Sequence, residues 1–120
     1  IIGFFDDGIS KGTSNEYGSV LGGIDVLNSW NEKLSVIIAI GSPVHVKGVF
    51  SKINNTNIDF PNIIAPGLVY LDKKNIKIGM GNIIGVGSLL SCNVVVGDFN
   101  LFNGFVSVGH DTIIGSYNTI

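Results

Sequence analysis

Residues 78–120 read IGMGNI IGVGSL LSCNVV VGDFNL FNGFVS VGHDTI IGSYNT I when divided every six positions. The first column, at 78, 84, 90, 96, 102, 108, 114 and 120, holds Ile, Ile, Leu, Val, Phe, Val, Ile and Ile. If about a third of positions are large and apolar, eight in register arise by chance on the order of once in several thousand trials. The second column, at 79, 85, 91, 97, 103, 109 and 115, reads Gly, Gly, Ser, Gly, Asn, Gly, Gly, an independent regularity. A period of six is neither that of a helix nor that of a lone amphipathic strand. It fits a short strand and a tight turn, repeated, with the large residue filling an interior and Gly taking the turn because positive φ costs it least. Three units close a triangular coil of eighteen residues, and coils stack as parallel strands. Ile78, Val96 and Ile114 then stack at one corner, Ile84, Phe102 and Ile120 at the second, and Leu90 and Val108 at the third. A glycine-rich antiparallel sandwich does not hold such a register over eight steps.

Composition agrees. Of the 120 residues, 45% are hydrophobic and 13% charged, and the mean hydropathy is +0.46, so the chain folds rather than staying disordered. Seven lysines, no arginine and a formal charge of −2 offer no basic stripe and no guanidinium for phosphate or guanine, which argues against nucleic acid. The longest strictly apolar run, Val36 to Ile40, is far short of the roughly 20 residues of a membrane span. Cys92 is the single cysteine, which excludes an internal disulfide and a multi-cysteine zinc site. No signal-peptide pattern opens the chain, so a cytoplasmic setting is expected. The chain begins without Met inside an apolar run and ends in mid-pattern, as expected of a piece of a longer polypeptide.

Upstream of the repeat the pattern alternates. Ile1–Phe5 reads as a buried strand ending in the turn Asp6-Asp7-Gly8. Lys11–Gly18 is loop-like, and Ile24–Trp30 reads as a short helix. Ser35–Ile40 is a second apolar strand. Ser42 is placed as N-cap and Pro43 as the first residue of a helix with Val46, Val49, Phe50 and Ile53 on one face. Ile58–Phe60 makes a third strand. This order implies a small α/β unit with a parallel sheet, divided from the repeat near Pro61–Pro66. Ligands of such sheets sit at the carboxyl ends of strands, which draws attention to Asp6, Asp7, Gly41 and Ser42.

Within the repeat, function belongs where polar groups exceed what the scaffold needs. His110 lies two residues past the interior Val108 and faces outward at a corner. Asp111 stands beside it to orient the imidazole, Cys92 lies one coil below, and Asn103 occupies a turn slot that is Gly in most units. Imidazole is the side chain best suited to general-base work near neutral pH. His45 reads as a helix-surface residue and Cys92 as an incidental thiol. No serine nucleophile elbow, His-x-x-x-His or Cys-x-x-Cys is present.

The stretch Asn100–Gly115, with Gly-His-Asp-Thr-Ile-Ile-Gly at 109–115, resembles the active-site coil of sialic acid O-acetyltransferase-type sugar acetyltransferases, a hexapeptide-repeat family that includes UDP-4-amino-sugar N-acetyltransferases. Ile1–Gly8, Val20–Gly23 and Ile38–Gly41 resemble its N-terminal domain in order. The resemblance implies a partial Rossmann-like nucleotide-sugar domain at residues 1–61 and a left-handed parallel β-helix at 62–120. It implies a homotrimer, acetyl-CoA as donor in the cleft between neighbouring β-helices, no metal, and acetylation of a sugar amine or hydroxyl in bacterial surface glycan synthesis. Under it His110 is the general base, Asp111 the acid beside it, Asn103 a polar substrate-binding position, Asp6 and Asp7 an acidic pair near the nucleoside, and Gly41 the glycine ending a strand. The family's first strand and glycine-rich loop would precede Ile1, and further coils that finish the CoA site would follow Ile120. The alternatives are a non-catalytic β-helix scaffold for trimerisation and a sugar-nucleotide binding module.

Overall fold

The computed structural model describes residues 1–120. In the N-terminal half, β1 (Phe4–Phe5) pairs in parallel with β3 (Gly18–Gly22), and β2 (Ser14–Asn15) adds to β3 as an antiparallel hairpin. Helix α1 (Ile24–Asn28) follows, then β4 (Leu34–Ser35), α2 (Pro43–Lys52) and β5 (Ile58–Asp59), with β4 and β5 paired in parallel. The strands form two small sheets and not one. Several elements differ from the sequence reading. Ile1 and Ile2 are 94% and 60% exposed, and the first strand is confined to Phe4–Phe5. The expected loop at 11–18 holds β2, turned back by Asn15, whose Oδ1 accepts the Tyr17 N–H at 2.8 Å. Of the apolar run 35–40, only Ser35 lies in a strand. Its isoleucines 38 and 40 instead line a seam with Pro43, Val46, Ile83 and Leu101. Ser42 is the N-cap of α2 and Pro43 its first residue, but the Ser42 side chain makes no capping bond.

From Ile63 onward the chain winds into a three-sided coil. One face stacks β6 (Ile63–Ile64), β9 (Ile83–Ile84) and β12 (Leu101–Phe102). The next stacks β7 (Val69–Tyr70), β10 (Leu89–Leu90) and β13 (Ser107–Val108). The third stacks β8 (Lys77–Ile78), β11 (Val95–Val96) and β14 (Ile113–Ile114). All three ladders are parallel and in register, so Ile78, Val96 and Ile114 are direct neighbours, as are Ile84 with Phe102 and Leu90 with Val108. The interior columns therefore run along the faces, not the corners, because each large residue is itself in a strand. Ile84, Leu90, Val94, Val96, Phe102 and Val108 form the buried core. Ile120, with a strand on one side only, stays 40% exposed. A coil preceding the quoted repeat packs Tyr70 beside Leu90 and Ile64 beside Ile84. It is two residues longer than the others, with a 3₁₀ turn at Lys73–Asn75, and that insertion hides it from a strict count of six.

The glycine column has a different cause from the one expected. Positive φ recurs every six residues, but at Gly81, Gly87, Asn93, Phe99, Phe105, Asp111 and Tyr117, three positions past each interior residue. Gly79, Gly85 and Gly97 are small because coils stack closely. A Cβ on Gly85 would meet Gly104 N at 2.8 Å and Phe102 O at 2.9 Å, and one on Gly97 would meet Gly115 O at 2.7 Å. A second inward column runs along one corner as a ladder of asparagines. The Asn82 N–H donates to Asn62 Oδ1 at 2.8 Å, Asn100 N–H to Asn82 Oδ1 at 2.9 Å, and Asn118 N–H to Asn100 Oδ1 at 2.9 Å. Asn82 and Asn100 are fully buried, and their amide groups also donate to the Gly97 and Gly115 carbonyls, so no buried side-chain polar atom is left unpaired. Helix α2 joins the coil through Phe50, Phe60, Phe99 and Tyr117, whose contacting ring centroids lie 4.5–5.6 Å apart.

Candidate functional site

The turn from β13 to β14 is Gly109-His110-Asp111-Thr112. The Thr112 hydroxyl donates to the Gly109 carbonyl at 2.8 Å and closes it. The Asp111 N–H donates to the carbonyl of Cys92, one coil below, at 2.9 Å, which fixes the turn to the stack. Asp111 occupies the left-handed slot with φ 58°, a conformation that Asp and Asn tolerate better than most residues. That backbone swings its carboxylate back over its predecessor. Oδ2 lies 2.7 Å from His110 Nδ1, and Oδ1 accepts the Asn93 Nδ2–H at 3.0 Å. The His110 and Asp111 side chains are 78% and 65% exposed.

Hydrogen bonds from His110, and secondarily from Asn93, hold the Asp111 carboxyl below its ordinary range, against a small opposing effect of burial. An ionised carboxylate only accepts, so Nδ1 is the donor in this contact, and in the neutral form of the ring the lone pair then falls on Nε2. That is the tautomer a general base requires.

The remaining sequence candidates lie elsewhere. Asn103 is in the previous corner and donates through Nδ2 to the Ile120 carbonyl at 3.0 Å. Asp6 Oδ1 accepts the Gly8 N–H at 2.7 Å, an Asx turn after β1. Asp7 Oδ1 accepts the Ile24 N–H at 2.8 Å and so caps α1 from outside the helix, packed against Gly23 where a Cβ would push the carboxylate aside. The Gly41 carbonyl accepts from the Thr119 hydroxyl at 3.2 Å, tying the start of α2 to the last coil. Of the sequence candidates, then, only His110 and Asp111 are hydrogen-bonded to each other. A concavity of about 470 Å³, lined by Asp25, Trp30 and Glu32 among others, contains none of them. His45 is exposed on α2 and Cys92 is a half-buried free thiol. The residue missed is Asn93. Its signal was present, since it stands eighteen positions before Asp111. No group of residues able to hold a metal ion is found, and no helix is long and apolar enough to cross a membrane.

No protein-family model and no curated protein matches the chain. Solved structures do. WeeI from Acinetobacter baumannii AYE superposes with a TM-score of 0.83 at 29% identity, over 98% of this chain and 54% of that one. A histidine-to-alanine mutant of GDP-perosamine N-acetyl transferase from Caulobacter crescentus, in complex with CoA and GDP-perosamine, matches with a TM-score of 0.70 at 18% identity, over 85% of this chain and 48% of that one. The acetyltransferase domain of PglB from Neisseria gonorrhoeae FA1090, in complex with acetyl coenzyme A, matches with a TM-score of 0.55 at 22% identity, over 98% of this chain and 64% of that one. The chain spans about half the length of the first two. It has the fold of the hexapeptide-repeat sugar acetyltransferases, as the sequence resemblance implied.

Proposed function

We propose that the protein transfers an acetyl group from acetyl-CoA to an amino or hydroxyl group of a nucleotide-sugar, with His110 as general base. The observation that carries this reading is the outward imidazole with Nδ1 bound to Asp111 at 2.7 Å and Nε2 free for an acceptor. The ligands of the structural neighbours, CoA with GDP-perosamine in one and acetyl coenzyme A in another, support the substrate classes. In the proposed step the acceptor N–H or O–H gives its proton to His110 Nε2 while the acceptor atom attacks the thioester carbonyl carbon. A C–N or C–O bond forms, the C–S bond breaks, and the CoA thiolate leaves, to be protonated by the imidazolium. Asp111 keeps the ring in its tautomer and steadies the imidazolium, and turn N–H groups stabilise the oxyanion.

The ring is open to solvent, so a second subunit is needed to enclose the acyl donor. This reading makes the protein a homotrimer of left-handed β-helices, cytoplasmic and engaged in bacterial surface glycan synthesis. Residues 1–61 hold the nucleotide-sugar, with Asp6, Asp7 and Gly41 on its nucleoside side and Asn103 as a polar contact. Asp6 and Asp7 each have one carboxylate oxygen already committed to a backbone N–H, leaving the other for a ligand. The test is His110→Ala in the intact protein, followed by thiol release from acetyl-CoA. Turnover falls at least about a hundredfold with the circular dichroism spectrum unchanged. Turnover near that of the unmodified protein refutes the assignment.

A further inference from the structure

We infer that Asn93 is a positioning residue that sets the protonation pattern of His110 through Asp111, an inference that rests on the general-base reading above. Asn93 and Asp111 occupy the same left-handed corner slot in successive coils, with φ of 54° and 58°. Stacking in register puts one side chain over the other, and Asn93 Nδ2 donates to Asp111 Oδ1 at 3.0 Å. Asp111 is thereby held at three points, two of them on its carboxylate. Its backbone N–H is bound to the Cys92 carbonyl at 2.9 Å, Oδ1 is bound to Asn93, and Oδ2 faces His110 Nδ1 at 2.7 Å.

Both side chains of the His–Asp pair are mostly exposed, and within residues 1–120 no further side-chain hydrogen bond holds the Asp111 rotamer. Water competes for each carboxylate oxygen. Without the amide the carboxylate is free to turn from the ring, and the imidazole loses the acceptor that keeps its proton on Nδ1. The other corners show that the slot does not require an amide. Gly81 and Gly87 stand there in the first repeats, and Phe99, Phe105 and Tyr117 in later ones. Among these left-handed slots, polar residues are stacked only in the column of Asn93 and Asp111.

The experiment uses the intact protein labelled with nitrogen-15 histidine, the His110 signals being assigned by their loss in His110→Ala. Two replacements keep the backbone at ease: Asn93→Gly, which accepts positive φ, and Asn93→Asp, which keeps the shape but replaces the donor by an acceptor. The nitrogen-15 shifts of the neutral ring report the tautomer directly. The unmodified protein shows the proton on Nδ1, and both replacements move the population toward Nε2–H. Turnover falls about tenfold or more, the lower end for loss of a charge-assisted hydrogen bond, with KM for acetyl-CoA within about twofold. An unchanged tautomer in both variants overturns the inference, whatever the activity. If His110→Ala keeps its turnover while the tautomer still shifts in the Asn93 variants, the general-base reading fails and the positioning of the ring by Asn93 stands.

Discussion

Asp111 shows how much one corner residue carries. Its carboxyl is held low chiefly by the bond from His110 and next by the bond from Asn93. The sign of the pH effect follows. A lowered carboxyl keeps its contacts at all pH values above the ordinary aspartate range and loses them only as pH falls through the depressed midpoint. Carbon-13 NMR of the Asp111 carboxyl should therefore show a midpoint below the ordinary aspartate value. His110→Ala should raise that midpoint more than Asn93→Gly does, because the imidazole is the larger cause. An ordinary midpoint in the unmodified protein contradicts the geometry described here. The His–Asp pair was legible from adjacency in sequence. Asn93 was within reach of the eighteen-residue step that set Cys92 below His110, but the shared left-handed slot that turns its amide toward Asp111 shows only in the backbone.

At the scale of the coil, the six-residue apolar period was readable because it reports burial, and burial follows from the strands stacking in register. The reason assigned to the glycines was not readable. A glycine in a turn is as consistent with positive φ as with close packing, and only the coordinates separate the two. They place the left-handed residue two positions later and leave Gly85 pressed against the backbone of the next coil. Gly48, inside α2, has nothing within 4 Å of where its Cβ would stand. The two glycines therefore give opposite outcomes. Gly85→Ala, facing backbone that cannot give way, should cost about 1–3 kcal/mol in urea unfolding. Gly48→Ala should be neutral or stabilising by up to about 1 kcal/mol, since Ala is the better helix former and its methyl meets nothing. Equal effects at both sites count against the stacking explanation. The N-terminal strands were overextended for a related reason. The run 36–40 is apolar because it packs against α2 and the coil, and an apolar pattern records contact without saying that the contact is a strand.

The two halves of the molecule meet through Phe99, which sits in a left-handed slot at φ 54° and is 5% exposed. Its ring lies 4.5 Å from that of Phe50, 5.4 Å from Phe60 and 5.6 Å from Tyr117, and it covers Gly81. A bulky residue at positive φ is uncommon, yet Phe105 and Tyr117 share the conformation, so the slot belongs to the coil and the buried ring of Phe99 to the seam. Phe99→Gly removes the ring without adding backbone strain, since glycine accepts that conformation. The expected cost is about 2–4 kcal/mol, that of a large-to-small core change offset in part by the relieved backbone. The loss should not be uniform. Away from the seam, β10 and β11 are held by their own ladders, whereas α2 relies on the aromatic cluster and the bond from Thr119 to Gly41. Amide hydrogen exchange of Phe99→Gly should accelerate along Pro43–Lys52 while Leu89–Leu90 and Val95–Val96 keep most of their protection. Equal acceleration in both regions would mean that the halves unfold as one unit and that the ring serves the coil as much as the joint.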